Sequence, residues 1–183
     1  MMKHHFFHCC FFLGIAFTGS AYAEKDDSNK PIEIEADKFS YDNLKLVKTI
    51  SGNVVLTRGT LTMKAGNVIL REDAQGNQAA TLLAAPGSLA TFRQKRDGGD
   101  LWIEGQAERI EYDSKSELVK LFSKARLKRL EGTKPTEVVD GEYISYDSKT
   151  EYFIVNNTPT AESKPGAGRI KIVIQPRSEA KGK

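Results

Sequence analysis

From residue 31 onward, apolar residues recur at every second position in short runs, and almost nowhere at the spacing of an amphipathic helix. PIEIEAD (31–37) sets Ile32, Ile34 and Ala36 on one face and Glu33 and Glu35 on the other. GNVVLTRG (52–59), LTMKAGNVIL (61–70), LATFRQKR (89–96) and LWIEGQAERIEY (101–112) continue the pattern. ELVKLFSKARLKRL, EVVDGEYISY, TEYFIV and RIKIVIQP follow. Gly, Asn, Asp and Pro fill the gaps, as turns require. Many short strands with one apolar face each predict an all-β sandwich, barrel or open roll. The least regular stretch, EDAQGNQAATLLAAPG (72–87), reads as a long hairpin connection that contains an edge strand.

Within this pattern a phrase repeats. Ala36 to Asp42, Ala107 to Asp113 and Gly141 to Asp147 each run from a small residue through an apolar one to Tyr-Asp. Phe39 and Tyr41 share a face, as do Ile110 and Tyr112, and Ile144 and Tyr146, because strand side chains alternate. Each Asp then opens a polar turn (DNLK, DSKS, DSKT) that leads into another apolar strand. The unit is a hairpin, with the carboxylate placed to accept backbone N–H groups of the turn. A weaker copy, from Ala65 to Leu70, keeps the small residue and apolar pattern but lacks Tyr-Asp. Paired acids can do acid–base work, but one ingredient used three times argues for scaffold. Each hairpin alone would be marginal, so stacked hairpins sharing one interior are expected.

The ends differ in kind. Residues 1–23 carry Lys3, an apolar run and Ala21-Tyr22-Ala23, the pattern of an export signal cleaved after Ala23. Residues 24–30 are expected to form a flexible mature N-terminus, 31–176 the β-domain and 177–183 a polar tail. Both cysteines, Cys9 and Cys10, and all three histidines fall in the signal. From residue 24 on there is no Cys/His metal site and no Ser-His-Asp or Cys-His constellation. Without Lys3, 26 basic residues face 24 acidic ones. That near balance does not favour nucleic acid. Carboxylate chemistry, and carboxylate binding of calcium or magnesium, stay open on composition alone; with the repeated acids read as scaffold, we expect no catalytic residue, no metal and no cofactor.

Three features invite a functional reading. Trp102 suits either the core or a partner contact. In the basic run 124–129, alternation points Lys124, Arg126 and Lys128 away from Ala125 and Leu127; this is either a solvated face or a patch for anionic headgroups. The first and last strands, PIEIEAD and RIKIVIQP, would be open sheet edges flanked by Pro31 and Pro176. Open edges can pair with another chain, and a heterologous contact of that kind extends instead of closing.

The order of KPIEIEADKFSYDN, SGNVVLTRGTLTMKAGNVIL, PGSLATFRQKRDGG and IEGQAERIEYDSKSELVKLFSKARLKR resembles the LptA (OstA-like) family of periplasmic lipopolysaccharide-transport proteins. The resemblance spans about residues 30–175. It implies an open, slightly twisted β-jellyroll of two facing antiparallel sheets, working in the periplasm. Its interior would hold the acyl chains of lipopolysaccharide. The protein would be a link in a bridge, with LptC at its N-terminal edge, LptD at its C-terminal edge, and head-to-tail homo-oligomers between. A free soluble lipid carrier is the alternative. Carried over by position, the groove contacts fall on Ile32, Phe92 and Tyr112. The strand pattern adds Ile34, Phe39, Ile110 and Ile144.

Overall fold

The structure, a computed structural model, describes residue 27 and residues 30–176. Twelve strands follow one another: β1 (Glu33–Glu35), β2 (Lys38–Asp42), β3 (Val47–Arg58), β4 (Leu61–Glu72), β5 (Gln78–Leu83) and β6 (Ala90–Arg96), then β7 (Leu101–Ala107), β8 (Arg109–Asp113), β9 (Leu118–Glu131), β10 (Lys134–Asp147), β11 (Phe153–Asn156) and β12 (Lys171–Ile174). β3, β4, β9 and β10 are long, and each takes part in two layers. The first layer runs β2, the first half of β3, the second half of β4, β5, β8, the first half of β9, the second half of β10, and β11. The second runs β1, the second half of β3, the first half of β4, β6, β7, the second half of β9, the first half of β10, and β12. All these pairings are antiparallel, and each layer holds eight segments among the described residues. The result is an open β-jellyroll, joined through the bends of its long strands on one side. The hairpin ends lie on the other.

The bends come from bulges, and at one of them the small head of a repeat is required: a Cβ on Gly141 would sit 2.6 Å from Val155. The β3–β4 register shifts between Ser51 and Val54, where Gly52 (φ 83°) and Asn53 (φ 48°) are left-handed. A bulge of this kind turns a strand sharply without ending its pairing. The Asp37 carboxylate lies where a Gly52 Cβ would be, and Asn53 Nδ2 donates to it at 3.0 Å. The β9–β10 register shifts between Gly141 and Tyr143, beside left-handed Ser123 and Lys124. A bulky side chain at the crease would strike the facing strand.

The repeated Tyr-Asp closes hairpins, as expected. Asp42 Oδ1 accepts the N–H groups of Leu44 and Lys45, both at 3.1 Å. Asp113 Oδ1 accepts Ser116 N–H at 2.8 Å, and Asp147 Oδ1 accepts those of Lys149 and Thr150 at 2.9 and 3.1 Å. Four residues after each Asp the chain is left-handed, at Leu46, Glu117 and Glu151. The repeat is therefore one turn geometry used three times. The weaker copy belongs to the same set in part. After β4, Asp73 Oδ1 accepts the N–H groups of Gln75 and Asn77.

Two expectations change. The stretch 72–87 does not supply an edge: β5 is interior to the first layer, paired with β4 on one side and β8 on the other. The β6–β7 hairpin that follows it belongs to the second layer, so β5 meets β8 across an excursion that local sequence does not reveal. Within 24–30, expected to be flexible, Asp27 is buried and tied down. Its Oδ2 accepts the N–H and hydroxyl of Thr60 at 3.0 and 2.6 Å, serving the donors of the β3–β4 turn. The expected signal, with its cysteines, and the polar tail lie outside the described residues.

The layers enclose one core, including Ile50, Val68, Leu82, Ile110, Leu121 and Ile144 from the first and Val54, Met63, Phe92, Leu127 and Val139 from the second. Gly105 is there to let an aromatic ring lie flat: an added Cβ would sit 2.0 Å from the Phe92 ring. Gly105→Ala should lower stability by about 1–3 kcal/mol through overpacking, read by chemical denaturation; an unchanged midpoint would show that Phe92 moves freely. Turn hydrogen bonds hold three carboxyls below their ordinary values: Asp73 first through the Asn77 side chain, Asp113 through Ser116 N–H, and Asp147 through Thr150 N–H. Their stabilising effect is present above the unfolded value and lost as pH falls through the folded one. The triple change to Asn should flatten the loss of stability below about pH 4; the same acid slope in wild type and variant would refute it.

Candidate functional site

Register turns the separate strand faces into continuous rows. Across the second layer, Ile34 is aligned with Leu56, Met63 and Phe92, and the row continues through Gly105, Leu127, Val139 and Ile172. Across the first layer, Phe39 is aligned with Ile50, Val68 and Leu82, and onward through Ile110, Leu121, Ile144 and Val155. The middles of both rows are buried together. Burying the two faces against each other gains roughly 25 cal/mol per Å² of apolar surface removed from water.

Five of the seven residues singled out from sequence lie on these rows. Ile34 and Phe39 stand at one end, 37% and 60% exposed. Phe92, Ile110 and Ile144 lie mid-row and are buried in the closed protein. Tyr112 lies one row nearer the hairpin ends, aligned with Ala80 and Val119. Burial first, then Glu117, pushes its hydroxyl above the ordinary tyrosine value, while Arg58 opposes the shift. Ile32 precedes β1 and is partly exposed at the same end as Ile34. The third tyrosine of the repeat, Tyr146, is a buried core residue, whereas Tyr41 is exposed at the open end.

At the opposite end, Ile170, Ile172 and Ile174 on and beside β12 are exposed. Among the described residues, β1 and β2 pair only with β3, and β11 and β12 only with β10, so each layer has a bare edge at both ends. These edges are where the apolar rows reach the surface.

The outer face of the second layer is polar. Lys124, Arg126 and Lys128 point outward, as alternation requires, but each meets an acid: Glu108 at 2.7 Å, Asp140, and Glu104 at 3.8 Å. The basic strand is thus one side of an ion-pair ladder. Two shallow cavities of about 310 and 400 Å³ lie along it, one against Lys64 and Arg93, the other under Asn157 and Arg169. Trp102 is on this outer face, half-buried, with its Nε1 donating to Asp100 at 2.7 Å and Arg93 stacked 4.2 Å from its ring.

Sequence reading missed a polar cluster on the inward face at the hairpin ends. Arg96 forms a bidentate ion pair with Glu151, and Arg129 donates to the Glu151 carbonyl at 2.7 Å and to Glu137 at 3.2 Å. The signal was present: Arg96 has the parity of Phe92, and Arg129 that of Ala125 and Leu127. Among the described residues no group of three or more His, Cys, Asp or Glu is placed to hold a metal ion.

Known proteins share this arrangement. Residues 33–152 match the family described as LptA/(LptD N-terminal domain) LPS transport protein. The lipopolysaccharide export system protein LptA of Haemophilus influenzae is 33% identical over 168 residues, 91% of this chain and 90% of that one. LptA of Escherichia coli is 32% identical over 126 residues, 69% of this chain and 64% of that one. The crystal structure of LptH from Pseudomonas aeruginosa, described as the LptA-homologous periplasmic component of the lipopolysaccharide transport device, superposes with a TM-score of 0.70 at 25% identity. It covers 82% of this chain and 99% of that one. With its two-layered open roll, its facing apolar rows and a family match across most of the β-domain, the chain belongs to the LptA/LptD N-terminal domain family of lipopolysaccharide transport proteins.

Proposed function

We propose that the protein conducts lipopolysaccharide through the periplasm as one link of a bridge between the inner and outer membranes. The acyl chains lie between the two layers against Phe92, Ile110, Ile144 and Tyr112, and pass each open end along Ile32, Ile34 and Phe39 or along β11 and β12. The N-terminal edge takes LptC, the C-terminal edge takes LptD, and copies join head to tail. The reading rests on one observation above all: both apolar rows run from one bare edge to the other and stay exposed there.

Strand direction supports head-to-tail stacking of copies. With eight alternating segments in each layer, stacking a second copy in the same orientation makes every new contact antiparallel. β12 of one copy then meets β1 of the next while β11 meets β2. If the rows are to continue, Ile172 stands opposite Ile34 and Ile174 opposite Ile32, while Val155 meets Phe39. The same register sets Lys171 opposite Glu35. Edge strands are usually defended against such pairing; here opposite charges on the two edges favour it.

Photocrosslinking from Ile32, Phe92 and Tyr112 in cells should capture lipopolysaccharide, with outward positions such as Glu104 silent. Capture from none of the three would remove the groove assignment. The register has its own test. The chain from residue 24 on has no cysteine, so Glu35→Cys mixed with Lys171→Cys should form a disulfide between copies under mild oxidation. Directly opposed antiparallel positions place their Cα atoms within about 4.5–5.5 Å. Glu33→Cys with Lys171→Cys should not. Equal yields from both pairs would discard this register, and a strict monomer at all concentrations would favour a free carrier.

A further inference from the structure

The inward face carries two arginines that acyl chains do not explain. Arg96 ends β6 and Arg129 lies near the end of β9. Both belong to the second layer, at the hairpin end, where no chain joins the layers. Both reach across to one residue of the first layer, Glu151 in the β10–β11 turn. Arg96 Nε donates to Glu151 Oε1 at 3.0 Å while Nη2 donates to Oε2. Arg129 Nη2 donates to the Glu151 carbonyl, and its guanidinium lies 5.2 Å from the Phe153 ring. The mouth of the roll is thus closed by Glu151, its carboxylate held by Arg96 and its carbonyl by Arg129, which also pairs with Glu137 of its own layer at 3.2 Å.

Two features mark that carboxylate as exchangeable. The Glu151 side chain is 40% exposed and that of Arg96 only 15%, so the anion is reachable from water and the cation sits deeper. Arg129 Nε is buried and donates to nothing among the described residues. The cluster therefore has one donor that neither Glu151 nor Glu137 uses. A phosphate matches the same guanidinium fork, with more charge and an additional acceptor oxygen.

We propose that Arg96 and Arg129 form a phosphate site at the mouth, filled by the Glu151 carboxylate in the closed protein and by a headgroup phosphate of the glycolipid once its chains lie between the layers. This rests on the lipid-conducting reading above and adds to it the group that is recognised and what it displaces. Chains that enter between the layers from the mouth would leave their headgroup at the hairpin end, where the two arginines are. The exchange is non-covalent: the Glu151 side chain turns out to water as the phosphate takes its place, and the clasp between the layers opens as the ligand enters.

The test compares three probes by equilibrium binding to the purified protein: lipid A with its phosphates, the same lipid A after phosphatase treatment, and inorganic pyrophosphate. In wild type the phosphorylated lipid should bind more tightly than the dephosphorylated one. Arg96→Gln should reduce that preference about tenfold, the scale of a lost charge-assisted hydrogen bond. Arg96→Lys, which keeps charge but not the fork, should reduce it less. Glu151→Gln should raise affinity for the phosphorylated lipid, and with Arg96→Lys it reads the site even if Arg96→Gln does not fold. If Arg96→Gln and Glu151→Gln shift both lipids equally and in the same direction, the pair is only a structural clasp and the site is overturned. Equal binding of the two lipids to wild type also overturns the site while leaving lipid conduction standing. Pyrophosphate that binds alone, with the same Arg96 dependence, assigns the site to free phosphate and overturns the headgroup assignment. Wild type that binds neither lipid removes the lipid reading itself.

Discussion

Everything in this molecule depends on long strands changing layer without losing their partners. A strand that simply ended at the crease would leave unpaired backbone groups inside the protein, each costing as much as a lost hydrogen bond. β3 and β9 instead bend at bulges built from left-handed residues, Gly52 and Asn53 in one case and Ser123 and Lys124 in the other. Pairing resumes on the far side of the shift. The same bends bring two apolar faces of one strand set into contact, so Ile50 and Val54, only four residues apart in β3, serve opposite walls of one core.

The burial that results is unfinished by construction. Inside the roll, each row residue is covered by the opposite layer and by neighbours on both sides. At the ends one neighbour is missing, which is why Ile34, Phe39 and Ile172 are exposed while Phe92, Leu82 and Ile144 are not. The force that holds the fold together is therefore also the one that recommends another chain at each edge. Charge is arranged accordingly: Glu33 and Glu35 mark one edge and Lys171 the other, on the outward faces where water remains.

Charges also divide the molecule by face. On the outside of the second layer, Lys124, Arg126 and Lys128 are answered locally by Glu108, Asp140 and Glu104, so the basic run carries little net attraction for an external anion. Exposed pairs of this sort contribute at most about 1 kcal/mol each. Inside the mouth, Arg96 and Arg129 are less exposed; Arg96 is answered from across the gap by the Glu151 carboxylate, and Arg129 by the Glu151 carbonyl and by Glu137 of its own layer. Their partnership reports whether the layers are together.

Much of this was legible in one dimension. Alternation marked the inward faces, so Ile34, Phe39, Ile110 and Ile144 could be chosen from the strand pattern, because a strand has only two faces, while Phe92 came with the family resemblance. Tyr-Asp marked the hairpins, because a carboxylate at a turn acts on N–H groups two to four residues away. What could not be read was anything that depends on which strands become neighbours. The sequence left β5 looking like an edge when it is enclosed by β4 and β8, and placed Asp27 in a flexible start when it caps a turn 33 residues later. It showed Arg96 and Arg129 on an inward parity without showing Glu151 between them. Local periodicity determines which way a side chain points; only the folded register decides what it meets there, because that choice is made by pairings far apart along the chain.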